Sequence, residues 1–93
     1  MPTGTATLDF GATPAETATV VVTGQTAIVA GSQVEAYFML DTTASNGLDE
    51  HEQAKAMCSL ICGSIVAGVS FTIKGTVLLG FATGQFTVHW VWV

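Results

Sequence analysis

A chain of 93 residues is one domain, near the size at which a single core is marginal and association with further copies supplies the missing burial. Only 10% of its residues are charged and 49% are hydrophobic, against roughly 25% charged in an ordinary soluble domain, so the surface favours neighbours over water. The two cations, Lys55 and Lys74, face seven carboxylates; a net charge of −5 without a single arginine excludes a nucleic-acid-binding surface.

Residues 5–10 alternate, with Ala6, Leu8 and Phe10 on one face, and end at the Gly-Ala-Thr-Pro turn of 11–14, which predicts a first strand. Residues 16–23 are rich in threonine and valine and predict a second. A short strand fits 26–30, closed by Gly31-Ser32. Residues 33–41 set Val34, Ala36, Phe38 and Leu40 against Glu35, Tyr37 and Met39, the alternation of a strand crossing a small sheet. Polar residues 41–53 read as the longest loop. The segment 54–62 fits either a strand or a helix with Ala54, Met57, Cys58 and Ile61 on one face. Alternation resumes over 65–73, with Val69, Phe71 and Ile73 on one side, and Gly75 and Gly80 bracket 76–79.

The last strand, 83–93, alternates to its final residue with both faces largely apolar. Phe86, Val88, Trp90 and Trp92 take one side, and Thr87, His89, Val91 and Val93 the other. A half-exposed strand carries polar residues outward, so Val91 and Val93 beside two tryptophans predict cover on both sides, the second cover being another subunit. The candidate subunit interface is therefore Trp90, Trp92, His89, Val91 and Val93, with Phe86, Val88 and the tryptophans inward and His89, Val91 and Val93 towards a neighbour. The expected fold is all-β, a compact antiparallel sandwich or barrel of about six to eight short strands with room for a short helix near residues 52–62. Thr-Gly-Gln recurs at 23–25 and 83–85, too seldom to define a repeat.

Chemistry is sparsely encoded. Residues 41–52 begin with Asp, carry Asp49 and end with Glu52, which evokes a calcium loop, yet Gly47 falls one position late and Thr43 and Ser45 stand where carboxylates or amides belong. Asp49, Glu50, His51 and Glu52 are the one cluster of titratable groups. Among three carboxylates His51 is expected to favour its protonated form, and the cluster is read as a solvated loop or a polar contact loop towards a neighbouring subunit in preference to a metal site. On a strand Cys58 and Cys62 would lie about 13 Å apart, too far for a disulfide; they read as small buried hydrophobes in a reducing compartment. No nucleophile elbow or phosphate loop is present, so the expectation is a non-enzyme with no cofactor and no small-molecule substrate. The aromatic residues could alternatively line a carbohydrate or ligand cleft. Residues 56–73 reach the lower limit for a membrane span, but their serines and glycines fit a hairpin of two strands better, and no membrane partner is expected. Residues 1–5 have neither a basic nor an apolar signal region, which predicts cytoplasmic synthesis.

Taken together, Ala-Thr-Leu-Asp-Phe-Gly at 6–11, Val-Thr-Gly-Gln at 22–25, Val-Glu-Ala at 34–36, Asp-Glu-His at 49–51, Ile-Val-Ala-Gly at 65–68, Phe-Thr-Ile at 71–73 and the closing 83–92 segment are similar to small uncharacterised structural proteins of tailed bacteriophages. The resemblance spans nearly the whole chain. It implies a virion component made in the host cytoplasm, and carries over no catalytic residue. Composition and resemblance together predict a homo-oligomeric capsid cement or decoration protein that contacts the major capsid protein. A tail, neck or fibre-associated subunit is the close alternative, a carbohydrate-binding sandwich a distant one, and a small membrane protein the most distant.

Overall fold

The structure, a computed structural model, describes residues 2–43 and 46–93. It is all-β with one short helix. In chain order the elements are β1 (Thr3–Asp9), β2 (Thr17–Val22), β3 (Val34–Phe38), α1 (Leu48–Met57), β4 (Cys58–Val66), β5 (Ser70–Val77) and β6 (Gln85–Trp92). They form two three-stranded sheets, ordered β1-β6-β3 and β2-β5-β4, with every pairing antiparallel. No ladder joins the two sheets, so the architecture is a sandwich.

Alternation places the core. From the first sheet Leu8, Phe38, Phe86, Val88, Trp90 and Trp92 turn inward; Ala18, Phe71, Ile73 and Val77 meet them from the second. The Phe71 and Trp90 rings cross edge to face with centroids 5.3 Å apart. Two glycines make this close approach geometrically feasible. A Cβ on Gly75 would lie 2.5 Å from Leu8 Cδ2 of the opposite sheet, and one on Gly4 would lie 2.5 Å from the Trp90 ring of the neighbouring strand. The missing side chains are thus filled by their neighbours.

The tryptophans differ in their polar ends. Trp92 Nε1 donates to Gln25 Oε1 at 2.8 Å, while Trp90 Nε1 is buried without a partner among the described residues. Gln25 belongs to the 23–33 connection, which closes one end of the sandwich. Its backbone N–H reaches the Val69 carbonyl, Ile28 is buried, and the Ile28 carbonyl accepts from Gly68. The short strand expected at 26–30 is accordingly a turn that plugs the core with one isoleucine.

Three other boundaries differ from the sequence expectation. The ambiguous 54–62 segment divides at Cys58, with helix before it and strand after. Asp49 and Glu50 in the first turn and Lys55 in the last suit the helix dipole, and the Met57 carbonyl already accepts from Leu78 of the β-sheet side. The alternation read over 65–73 is interrupted by a turn at 67–69, which joins β4 and β5 as the hairpin of two strands expected in this stretch. The apolar stretch 56–73 is divided between the end of α1 and that hairpin, and among the described residues no helix is long and apolar enough to cross a membrane. Finally, β3 stops at Phe38 instead of running on to 41.

Substituting Gly75→Ala is expected to cost about 1–3 kcal/mol, because the new methyl enters space held by Leu8, and pairing it with Leu8→Val should recover part of the loss. Trp90→Ala and Trp92→Ala should each cost about 3–5 kcal/mol. Urea unfolding of the single and paired variants measures both effects.

Candidate assembly surfaces

β6 presents the two faces that its alternation predicts. Phe86, Val88, Trp90 and Trp92 are all in the core, and at 7% exposure Trp90 and Trp92 offer no surface to a neighbour. Their assignment to a subunit interface is corrected: the same burial that makes them the largest core side chains on this strand withdraws them from contact. The outward residues remain available, His89 and Val91 half-buried and Val93 73% exposed.

The outer face has a local polar structure. Register puts His89 between Thr5 of β1 and Tyr37 of β3, and its imidazole stacks on the Tyr37 ring with centroids 5.8 Å apart and planes 18° from parallel. Its Nε2 lies 3.4 Å from Asp41 Oδ2. The Thr42 N–H donates to Asp41 Oδ1 at 2.8 Å and, with the nearby imidazole, holds the Asp41 carboxyl below its ordinary range against a smaller opposing effect of desolvation.

The acidic cluster is not a loop. Asp49, Glu50 and Glu52 are exposed on α1, whereas His51 is fully buried, facing the end of the first sheet. Its role follows from the length mismatch of β3 and β6. Opposite Phe38 stands Val88, and beyond it the β6 groups that point to the β3 side have no strand to meet. Side chains replace the strand. The Thr87 N–H donates to His51 Nε2 at 2.9 Å, while His51 Nδ1 donates to the Gly47 carbonyl at 2.9 Å. The Gln85 carbonyl accepts from Thr43 Oγ1 at 2.7 Å and from Asn46 Nδ2 at 2.9 Å. An imidazole that accepts at one nitrogen and donates at the other is the neutral Nδ1–H tautomer, so the protonated His51 expected from its acidic neighbours in sequence is corrected. The helix turns the ring away from those carboxylates and against Phe86, with centroids 5.3 Å apart.

A groove of about 270 Å³ lies between α1 and the loop joining β5 to β6. Ala54, Val77 and Phe86 form its apolar floor, and Glu50, Gln53 and Asn46 its polar rim. Beside it the loop exposes Leu79 at 82% and Phe81 at 65%, a feature that the sequence pattern of leucine and glycine did not single out. Cys58 and Cys62 are free, half-buried on β4, and packed against the core. Burial pushes both thiols up, Cys62 further opposed by the Glu35 charge, which disfavours thiolate chemistry. Among the described residues no group of three or more His, Cys, Asp or Glu side chains converges on a point that could hold a metal ion. Ser45, one of the positions weighed for a calcium loop, lies outside the described residues.

Two outcomes follow from this geometry. His51→Ala should destabilise the fold by about 1–3 kcal/mol by leaving the Thr87 N–H unmet, whereas Asn46→Ala should cost about 1 kcal/mol because Thr43 still serves the Gln85 carbonyl; thermal unfolding separates the two. The Asp41 carboxyl, followed by NMR, should titrate below its ordinary 3.8. Since the folded value is the lower one, its stabilising effect is present above the ordinary range and disappears as pH falls through the folded value. His89→Gln should return the midpoint only partway, because the Thr42 N–H remains.

No known protein family, no curated protein and no solved structure matches the chain.

Proposed function

We propose that this protein is a structural subunit of a tailed-bacteriophage particle, a cement or decoration protein that binds the coat and works by protein contact without catalysis. The observation that carries the proposal is the surface: large apolar side chains, Leu78, Leu79, Phe81 and Val93 foremost, stand more than half exposed on a domain with only 10% charged residues. Leu78, Leu79 and Phe81 follow one another on the β5–β6 loop, and such a run of exposed apolar side chains on a small protein marks a site for another macromolecule. The sequence resemblance to phage structural proteins supplies the setting. Burial of Trp90 and Trp92 favours this reading over a carbohydrate-binding module, since those rings line no cleft.

Multiplicity is the natural source of strength for such a subunit. A weak contact repeated around a symmetric shell contributes at every copy, and binding only the folded form stabilises the domain in turn. Heads and tails of gradient-purified particles, separated and examined by mass spectrometry, test the assignment. Recovery of the chain with heads is expected. Recovery with tails alone would overturn the cement role in favour of a tail or neck subunit, and absence from both fractions would overturn a virion role altogether.

A further inference from the structure

Building on the reading of an assembling subunit, we infer that β1 is a self-pairing edge: two copies of the protein join their β1 strands antiparallel about a two-fold axis, continuing the β1-β6-β3 sheet from one protomer into the next.

The direction of the β1 backbone groups is fixed by its partner. The Trp92 N–H donates to the Pro2 carbonyl and the Phe10 N–H to the Gly84 carbonyl, so at the alternation of an antiparallel ladder Gly4, Ala6 and Leu8 face β6. Thr3, Thr5 and Thr7 therefore direct their N–H and C=O groups to the open side, where the sheet order places no strand. Their side chains are exposed on the outer face. Such a row of main-chain donors and acceptors is a template for one more strand.

Edges that natural proteins keep solitary carry charges, prolines, bulges or a covering element. β1 carries no charge, proline or bulge between Thr3 and Leu8, its register with β6 runs unbroken, and β2 of the second sheet packs beside it without forming a ladder to it. The other edge of the same sheet is obstructed: α1 packs beside β3, and Lys55 Nζ lies 3.5 Å from the outward Phe38 carbonyl. In the second sheet, β4 is kinked by a register shift between Gly63 and Val66, with Ser64 at φ 49°. β2 is unkinked but shorter than β1.

What selects a second copy as the occupant is the order of residues in β1 itself. Thr3-Gly4-Thr5-Ala6-Thr7 reads nearly the same in both directions. With the two-fold axis at Thr5, Thr5 meets its own copy, Thr3 meets Thr7, and the small Gly4 and Ala6 meet each other on the inner face. Threonine opposite threonine is a favourable cross-strand pair. The acidic chain also has to approach itself, and this strand lets it. Asp9, the only charge on β1, would sit at opposite ends of the joined ladder about 26 Å from its copy, at about 3.3 Å per residue and well beyond the roughly 8 Å screening length at physiological salt.

Light scattering at high micromolar concentration and hydrogen exchange together test this. The wild-type protein should have twice the mass of one chain, and the amides of Thr5 and Thr7, unpaired within a protomer, should exchange more than about tenfold slower there than in a diluted monomeric sample. Thr5→Pro deletes an outward N–H without touching the ladder to β6, at an edge position where proline is tolerated, and should give a folded monomer. A monomeric wild type would overturn the inference, as would a dimer in which Thr5 and Thr7 exchange freely. A folded Thr5→Pro protein that still dimerises would overturn it while leaving assembly through another surface intact, and the particle fractionation above decides the virion role independently.

Discussion

β6 needs more hydrogen-bonding partners than β3 can supply. It is the middle strand of its sheet, it carries the largest core side chains, and its amides and carbonyls must be met on both sides before that burial becomes favourable. β1 meets one side along its whole length. On the other, β3 ends at Phe38, and an imidazole, a hydroxyl and a carboxamide from the following segment take over the ladder. The position of α1 is a consequence. The helix has to bring His51 to Thr87, and doing so places Ala54 in the core and leaves Asp49, Glu50 and Glu52 in solvent. A helix with little amphipathic character of its own is thereby held to the sheet by one buried ring, its hydrogen bond from Thr87, and the packing of Ala54.

This explains which parts of the molecule could be read from the sequence. Strands β1, β2, β5 and β6 were legible because each faces the core on one side and alternates accordingly; Leu8, Phe71, Ile73, Val88 and Trp90 fall where period two puts them. Side-chain substitution for a strand has no such period. Thr43, Asn46 and His51 look like residues of a polar loop, and only the tertiary position of Gln85 and Thr87 gives them a common task. His51 was the sharpest divergence: three carboxylates next to it in sequence point to charge, but a single helical turn sends its ring to the opposite side. The hairpin of β4 and β5 was partly concealed for another reason. Its first strand lies at an edge, with Ile61 and Val66 exposed and Cys58, Leu60 and Cys62 only half-buried, so the in-and-out contrast is weak.

The surface is likewise set by what the core had to take. Both tryptophans and four of the phenylalanines are consumed by packing. Other apolar residues are left at the surface along much of the chain, Leu40 and Ile61 among them, with Leu78, Leu79 and Phe81 following one another on the β5–β6 loop. His89, Tyr37 and Asp41 give the outer face of β6 a fixed polar arrangement in the midst of threonines and valines. Such a face has a defined polar pattern without being strongly charged.

The Lys55 ammonium beside the Phe38 carbonyl has a further meaning at the scale of many molecules. A sheet with two open borders can add subunits at both and polymerises into a fibre. Here one border is stoppered by a cation and the helix that carries it, and the other is free. If β1 pairs as inferred, strand addition in this sheet has a valency of one: a molecule joined there ends the row, and a chain poor in charge and rich in valine and threonine would stop at a pair along this sheet in place of an endless ribbon.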